Sequence, residues 1–381
     1  MLGMSMNLRL LLISVLSIGL ISCGRRGDGR FFGAMEEVGY PAPADSLNLI
    51  EVDESVFPEV VPMKGAHIEI EPVIKPMEMS AIVKDDLMFV KHLEEREGEP
   101  SLHVFRLPGM ELVASLACRG NGPGEVLDIC LSASVDPDKY CFIYDVNKLF
   151  LYYVDKNLKV HSYKRDIVPK NTGEIGLSSN EVIHRGGDRF IFGQRADNGT
   201  GLFEMDFKDM IAKGLINLNC TETFGRSWED NNNWCAFLGR LCSNPSLRRL
   251  VYVYNNYHRV VFSDYDGKDI KVIQFKEQDP FRSKGYWEHM NFGEDTFYYQ
   301  TAFGSSRYVY FVYKGEVFDK PEMPTYLEQW TWGGEPVRRF LLEDGVYPLG
   351  GCVDDKSQTL YLLDVNNDDF IYRVQMDGIE F

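Results

Sequence analysis

The sequence contains a short pattern of strand-forming residues that occurs three times at nearly equal spacing. In each copy, two arms rich in β-branched and aromatic residues flank a tight turn, and the first arm ends in Asp or Asn. The copies cover residues 141–152, 252–262 and 361–372. Their marker residues, Asp145, Asn255 and Asp364, are 110 and 109 residues apart. The chain therefore repeats a unit built on an antiparallel hairpin.

Three weaker hairpins of the same kind lie between the strong ones, at residues 87–105, 190–205 and 297–312. The first arms of the six hairpins are centred on Phe89, Ile143, Ile191, Val253, Tyr298 and Leu362. Successive centres are 54, 48, 62, 45 and 64 residues apart. No stretch of a dozen residues has a convincing helical period, and residues 207–215 and 326–330 are interpreted as single helical turns at most. Six all-β units of this length predict a six-bladed β-propeller of four-stranded antiparallel blades.

Each hairpin is expected to supply the second and third strands of its blade. The innermost strand should precede it, as at residues 126–130 and 346–350, and the outermost should follow it, as at 160–163 and 270–273. The last hairpin is followed by only a few residues, and an open ring would expose sheet edges. We therefore predict that a segment between Leu47 and Ile74 pairs into the final blade and closes the ring.

The N-terminal residues have the features of an export signal. Arg9 precedes an apolar run, Leu10–Ile21, that is too short for a lasting membrane anchor. The sequence from Leu20 to Cys23 looks like a bacterial lipobox, so residues 1–22 are predicted to be removed and Cys23 to be acylated. The alternative is an ordinary signal peptide that ends near a cysteine. Residues 23–66, rich in Gly, Pro and acidic residues with one strand near 47–52, are interpreted as a lipid tether, and residues 67–381 as the propeller domain.

Composition limits the partners and cofactors that the chain can use. The formal net charge is −17, which disfavours binding to nucleic acids or to anionic lipid surfaces, so the lipid anchor is the only membrane contact expected. Seven cysteines follow Cys23, an odd number, and only Cys235 and Cys242 are close enough in sequence for a plausible local disulfide. No zinc-type spacing, HExxH or GxSxG motif is present, so no metal, cofactor or catalytic residue is predicted.

A glycine-rich run precedes the inner strand of the second blade, with Gly120, Gly122, Pro123, Gly124 and Glu125 in sequence. A phosphate-binding loop is disfavoured because the run lacks the lysine and the following helix, and because Pro123 has no backbone donor. The run is interpreted as a structural turn in which Glu125 caps the loop or pairs with Arg119.

This glycine run, placed behind a lipobox, resembles that of the TolB-like or NHL-like six-bladed β-propeller lipoproteins of bacteria. The resemblance implies the propeller fold and a location in the cell envelope, with the outer membrane as the expected site. It implies no established reaction.

The loops between blades and the turns between second and third strands emerge on one face, which we call the loop-bearing face. Its candidate ligand-binding residues include Arg119, Asn121 and Glu125, with His184, Arg185 and His289 near the channel. Trp228, Tyr286 and Trp287 lie in between-blade stretches, where they suit a sugar ring or a peptide, or else wedge between neighbouring blades. The Asp364 turn resembles a calcium loop only poorly.

The favoured function is a binding or scaffolding module of the cell envelope, with a protein or glycan partner. The alternative is a calcium-dependent enzyme of the lactonase or lyase type, which would need oxygen ligands that converge in the central channel.

Overall fold

The fold is a ring of six sheets around one axis, and almost all of its regular structure is β. The computed structural model describes residues 38–74, 81–92, 96–172, 181–196, 199–221, 237–278, 295–317, 324–343, 345–367 and 369–376. The sheets follow one another along the chain, and in five of the six neighbouring pairs the first strands contact each other near the axis. The predicted six-bladed propeller is therefore confirmed. Within these ranges, no helix is long and apolar enough to cross a bilayer.

Strands are numbered along the chain, and each blade is numbered in the order in which its first strand occurs. The N-terminal segment contains α1 (Ala44–Leu47), β1 (Leu49–Val52), a 3-10 turn (Glu54–Val56), β2 (Val60–Met63) and β3 (Ala66–Glu69). Blade 1 contains β4 (Ala81–Lys84), β5 (Leu87–Lys91), β6 (Pro100–Arg106) and β7 (Glu111–Cys118). Blade 2 contains β8 (Ile129–Ala133), β9 (Lys139–Asp145), β10 (Phe150–Asp155) and β11 (Val160–Lys164), and is followed by a 3-10 turn (Lys170–Thr172).

The remaining blades repeat this arrangement. Blade 3 contains β12 (Val182–Gly186), β13 (Arg189–Ala196), β14 (Gly199–Asp206) and β15 (Ile211–Asn217). Blade 4 contains β16 (Gly239–Asn244), β17 (Arg249–Tyr254), β18 (Arg259–Asp264) and β19 (Lys271–Phe275). Blade 5 contains β20 (Thr296–Gly304), β21 (Tyr308–Val317), β22 (Tyr326–Thr331) and β23 (Pro336–Leu342). Blade 6 contains β24 (Pro348–Asp354), β25 (Thr359–Asp364) and β26 (Phe370–Gln375) together with β3.

The predicted hairpins are antiparallel strand pairs, and five of the six are the second and third strands of their blades. These strands are apolar on both sides because each blade packs between two neighbours. Phe142 of β9 meets Phe190 of β13 with ring centroids 5.0 Å apart. Tyr144 meets Phe192 in the same interface at 5.4 Å. The hydrophobic core is thus distributed over the interfaces between blades.

Blade 5 differs from the sequence prediction by one strand. The predicted arms at 297–299 and 308–312 do pair, but they belong to the first and second strands, and Tyr326–Thr331 is the third strand rather than a helical turn. Glu328 and Gln329 of this strand are both fully buried. With Tyr310 as the centre of the fifth unit, the spacings to the centres of the fourth and sixth units are 57 and 52 residues. These spacings are more regular than the 45 and 64 residues obtained with Tyr298. Residues 211–217 likewise form β15 instead of a helical turn.

The ring closes through the N-terminal part of the chain, as predicted. β3 pairs antiparallel with β26, with Glu69 opposite Phe370 and Ala66 opposite Arg373. Blade 6 thus obtains its fourth strand from a segment almost the whole chain length away in sequence.

The segment before β3 is also built into the propeller. β1 pairs in parallel with β19 of blade 4, β2 pairs in parallel with β23 of blade 5, and Pro43 forms a single bridge with Asn217 of blade 3. Residues 43–69, which we call the belt, therefore run along the outer edges of four consecutive blades. Residues 43–66 were predicted to be part of a flexible tether, but in the structure they are paired with the blades. The free edges of the outer strands offer hydrogen-bond partners for their backbone groups.

Two buried arginines attach the belt to the blades. Arg259 of β18 lies 3.0 Å from Asp45 of α1, and each side chain is only 2% exposed. The Thr221 backbone amide and hydroxyl also donate to Asp45. In blade 5, Arg339 bonds to Glu54 of the belt and lies 2.6 Å from the buried Glu328. Because both guanidinium groups are removed from water, each depends on its carboxylate partners for compensation.

We expect Asp45→Ala to lower the free energy of unfolding by about 3–5 kcal/mol, because it leaves the Arg259 guanidinium buried without its counter-charge. Urea unfolding followed by tryptophan fluorescence measures this loss. Lys276→Ala is the matched control, since its contact with Asp53 of the belt spans 3.8 Å and both side chains are about half exposed. That control should cost less than about 1 kcal/mol. Equal losses in the two variants would contradict the role assigned to the buried pair.

Candidate functional site

A cavity of about 540 Å³ lies on the propeller axis. Its wall includes residues from the first strand of every blade, β4, β8, β12, β16, β20 and β24. Most lining residues belong to the C-terminal halves of these strands and to the turns that follow, as in 131–135, 241–246 and 301–306. The cavity therefore lies toward the face that carries the turns between first and second strands. This is the face opposite the loop-bearing one on which the sequence analysis concentrated.

The wall of this cavity combines apolar side chains with hydroxyl and amide groups and carries few charges. Each lining strand is the innermost strand of its sheet, so its free edge directs backbone N–H and C=O groups toward the axis. The lining hydroxyl and amide residues are Ser132, Ser134, Ser243, Asn244, Ser246, Thr301, Ser305 and Ser306. The charged lining residues are Lys84 and Asp355. Lys84 Nζ donates to the Ser134 carbonyl at 2.9 Å, and Asp355 accepts the Ser306 amide at 2.9 Å.

His184 lies behind the cavity wall and is fully buried. Its Nδ1 accepts the Val135 amide at 3.2 Å, and its Nε2 lies 3.1 Å from the Gly187 carbonyl, to which it donates in the neutral tautomer. Burial is the main cause that lowers the pKa of His184, so the ring is neutral at pH 7. These contacts hold the first turn of blade 2 against β12 of blade 3.

Arg185, the next candidate, connects blades 3 and 4. Its side chain is 4% exposed and lies 2.5 Å from Glu204 of β14. It also bonds to Asp266, in the turn between β18 and β19, and this contact is the main cause that lowers the pKa of the Asp266 carboxyl. The guanidinium is thus engaged by two carboxylates of the protein.

The glycine run forms a closed structural loop. Glu125 Oε2 accepts a hydrogen bond from the Gly122 amide at 2.6 Å. Of the two roles predicted for Glu125, capping the loop and pairing with Arg119, the structure therefore shows the capping role. A Cβ atom added to Gly120 would lie 2.1 Å from that carboxylate oxygen, so a larger residue there would displace the Glu125 side chain from its capping position. Arg119 donates instead to the Leu127 carbonyl at 2.9 Å. Asn121, at the exposed tip of the loop, is the candidate of this group that faces solvent.

The repeated aspartates have a common role that the sequence analysis did not identify. Asp145 accepts the amide of Leu127, just before β8, at 2.9 Å, and the amide of Asn147 in its own turn at 3.1 Å. Asp364 repeats this in blade 6, with Tyr347 at 3.0 Å and Asn366 at 3.1 Å. Each carboxylate therefore ties the turn between the second and third strands to the chain that enters the first strand.

Asn255, the third marker, bonds differently, because its Nδ2 donates to the Tyr299 carbonyl of blade 5 at 2.5 Å. In blade 6, the Asp364 carboxylate also accepts Asn367 Nδ2 at 2.7 Å, so protein donors occupy it. Across the described part of the chain, no group of three or more His, Cys, Asp and Glu side chains is arranged to hold a metal ion.

Several predicted residues lie outside the described ranges, namely Cys23, Trp228, Tyr286, Trp287 and His289. Of the remaining tryptophans, Trp330 and Trp332 are buried, as expected for packing between blades. Cys242 is a buried free thiol, and Cys235, its suggested partner, also lies outside the described ranges.

The sequence analysis missed the lining of the cavity. A usable signal was present, because small hydroxyl residues recur where inner strands end, as at Ser132 and Ser134, Ser243 and Ser246, and Ser305 and Ser306.

Comparison with known proteins supports the fold and leaves the family open. No protein-family model matches the sequence, and no curated protein matches it. Among solved structures, a member of the DUF4221 family from Bacteroides vulgatus is similar with a TM-score of 0.59 and 11% identity, over 83% of this chain and 97% of that one. At that identity the likeness shows the propeller fold alone.

Two further structures are similar at lower scores. Regucalcin, a calcium-binding protein from Agrobacterium tumefaciens, has a TM-score of 0.47 at 11% identity, over 83% of this chain and 94% of that one. An auxiliary nutrient binding protein from Bacteroides thetaiotaomicron has a TM-score of 0.44 at 10% identity, over 83% and 74% respectively.

We expect Asp145→Ala to destabilise the protein by about 1–3 kcal/mol, because backbone amides around a buried carboxylate lose their acceptor. Asp145→Asn should recover part of this loss, since the amide oxygen can still accept. Asp138→Ala is the control, with a side chain that is 71% exposed. Chemical denaturation measures the three values. A loss for Asp145→Ala no larger than that of the control would contradict the structural role of the repeated aspartate.

Proposed function

We propose that the protein is an exported, lipid-anchored binding module of the bacterial cell envelope, with a protein or glycan as its partner. The observation that carries this proposal is the axial cavity of about 540 Å³, to which all six blades contribute. Concave sites of roughly 300–1,000 Å³ are typical of ligand-binding pockets. The polar side chains around it are almost all hydroxyls and amides, which suit recognition better than acid–base chemistry.

The attachment of the N-terminal segment to the blades limits how far the propeller can lie from a lipid on Cys23. If Cys23 is acylated, only the residues up to Val38, which packs in the core between blades 2 and 3, separate the lipid from the propeller. Fifteen residues reach at most about 50 Å when fully extended. A tether that ended at residue 66 would reach about three times as far. The proposed anchor would therefore keep the propeller close to the membrane surface.

The loop-bearing face is the surface that we propose for contact with the protein or glycan partner. Trp228 lies in the connection between blades 3 and 4, and Trp287 in the connection between blades 4 and 5. Connections from one blade to the next emerge on this face. Tryptophan combines a broad apolar ring with one hydrogen-bond donor, which suits both sugar rings and peptide segments.

We expect Trp228→Ala and Trp287→Ala each to weaken partner binding about tenfold or more, because alanine removes the apolar ring surface. The measurement is a glycan array together with a pull-down from envelope proteins, and the two arms show which class of partner is bound. Leu247→Ala is the control, since this apolar residue is 53% exposed in the turn between β16 and β17, on the opposite face. Binding that neither tryptophan variant reduces would rule out the proposed surface.

We expect Cys23→Ala to move the protein from the membrane fraction to the soluble fraction, because acylation of this thiol supplies the proposed anchor. Detergent phase partitioning and labelling with a fatty-acid analogue measure this change. Cys118→Ala, which replaces a cysteine of the propeller, should leave both readouts unaltered. Retention of label by Cys23→Ala would show that the lipid is attached elsewhere or that another signal holds the chain.

A further inference from the structure

Polar side chains on the lining strands of the axial cavity bond to the protein itself. Four of them are buried and engaged in this way, namely Ser132, Ser134, Asn244 and Ser305. The Ser132 hydroxyl, for example, accepts the His184 amide of blade 3 at 2.8 Å. Asn244 Nδ2 donates to the Ser306 carbonyl of blade 5 at 2.9 Å. These side chains join neighbouring blades, so a ligand inside the cavity meets mainly other groups.

The accessible side chains on the lining strands of blades 1 and 2 are mainly apolar. Along β8 and the turn after it, the partly exposed Leu131, Ala133 and Val135 alternate with the buried Ser132 and Ser134. Because successive side chains of a strand point to opposite faces, the three apolar groups share one face and the serines the other. β4 adds three partly exposed apolar residues, Ala81, Ile82 and Val83. The interior therefore offers aliphatic surface, whose burial by a ligand is favourable.

The mouth of the cavity is polar. Ser246 of blade 4, Ser306 of blade 5 and Asp355 of blade 6 line the cavity and are exposed to solvent. They lie in turns between first and second strands, so the mouth opens on the face opposite the loop-bearing one. The charged lining groups, Lys84 and Asp355, have opposite signs, and each already bonds to a backbone group. An ionic head group of either sign would be attracted by one and repelled by the other.

We propose that the axial cavity binds the aliphatic chain of an uncharged amphipathic molecule, whose hydroxyl or amide head stays at the mouth near Ser246 and Ser306. An apolar interior beneath a polar mouth fits this division of the ligand. The proposal rests on the proposed function as a binding module. It assigns a second site, on the face opposite the one proposed for the protein or glycan partner.

The test is isothermal titration of the full chain with straight-chain primary alcohols from butanol to decanol. The chain carries Cys23→Ala, because an acylated protein needs detergent, which would compete for the cavity. Each added methylene should tighten binding up to about fourfold until the chain fills the cavity, as expected for the burial of one methylene group. Octanoate and octylamine, the charged probes, should bind more weakly than octanol.

Val83→Thr tests the apolar wall, because threonine keeps the shape of valine and replaces one methyl group with a hydroxyl. It should weaken octanol binding about threefold to tenfold. Val113→Thr is the matched control, since Val113 on β7 of the same blade is also partly exposed but is not part of the cavity wall. This control should leave octanol binding unchanged. Ala133→Asn, at a partly exposed position of β8, is a second wall variant and should weaken binding as well.

The cavity site is overturned if no alcohol binds, if affinity does not rise with chain length, or if a charged probe binds more tightly than octanol. It is also overturned if Val83→Thr and Ala133→Asn both leave octanol binding unchanged. If Trp228→Ala or Trp287→Ala abolishes alcohol binding while the wall variants do not, the ligand binds at the loop-bearing face. In that case the cavity proposal fails and the proposed function stands.

The reverse result is equally distinct. If the wall variants weaken octanol binding while neither tryptophan variant reduces partner binding, the cavity site stands and the proposed partner surface fails.

Discussion

The structure depends on the burial of both faces of every blade against its neighbours. In the interface between blades 2 and 3, Phe142 and Phe190 meet edge to face with centroids 5.0 Å apart, and Tyr144 meets Phe192 at 5.4 Å. A single blade would expose both apolar faces, so each blade is stable only between two others. This requirement makes closure of the ring essential and explains why blade 6 takes its last strand from near the N-terminus.

The belt buries the outer edges of blades in the same way. β1 and β2 add parallel strands to blades 4 and 5, where they cover backbone groups that would otherwise face solvent. Asp45 and Glu54 place carboxylates against Arg259 and Arg339, so the belt is held by buried charge as well as by backbone pairing. Residues 43–69 are thus part of the folded domain.

The interfaces between blades and the axial cavity contain different types of residue. Aromatic side chains fill much of the space between blades, whereas the axial cavity is lined by strand edges, small hydroxyl residues and mainly aliphatic apolar side chains. Candidates such as His184, Arg185 and Glu125 are engaged by protein groups that fix turns and join blades. Ser246 and Ser306, in contrast, line the axial cavity and are exposed to solvent.

The sequence by itself determined the repeat, the number of blades and the need for a closing strand, because these follow from local strand pattern and chain length. It did not determine the strand order in blade 5, where the buried Glu328 resembles a solvated residue until its contact with Arg339 is known. The course of the belt and the assembly of the cavity depended on tertiary structure, although the serines at the ends of inner strands are visible in the sequence. Pairing between β1 and β19, or the convergence of hydroxyls from blades 2, 4 and 5, joins residues far apart in sequence, and no local pattern records such distances.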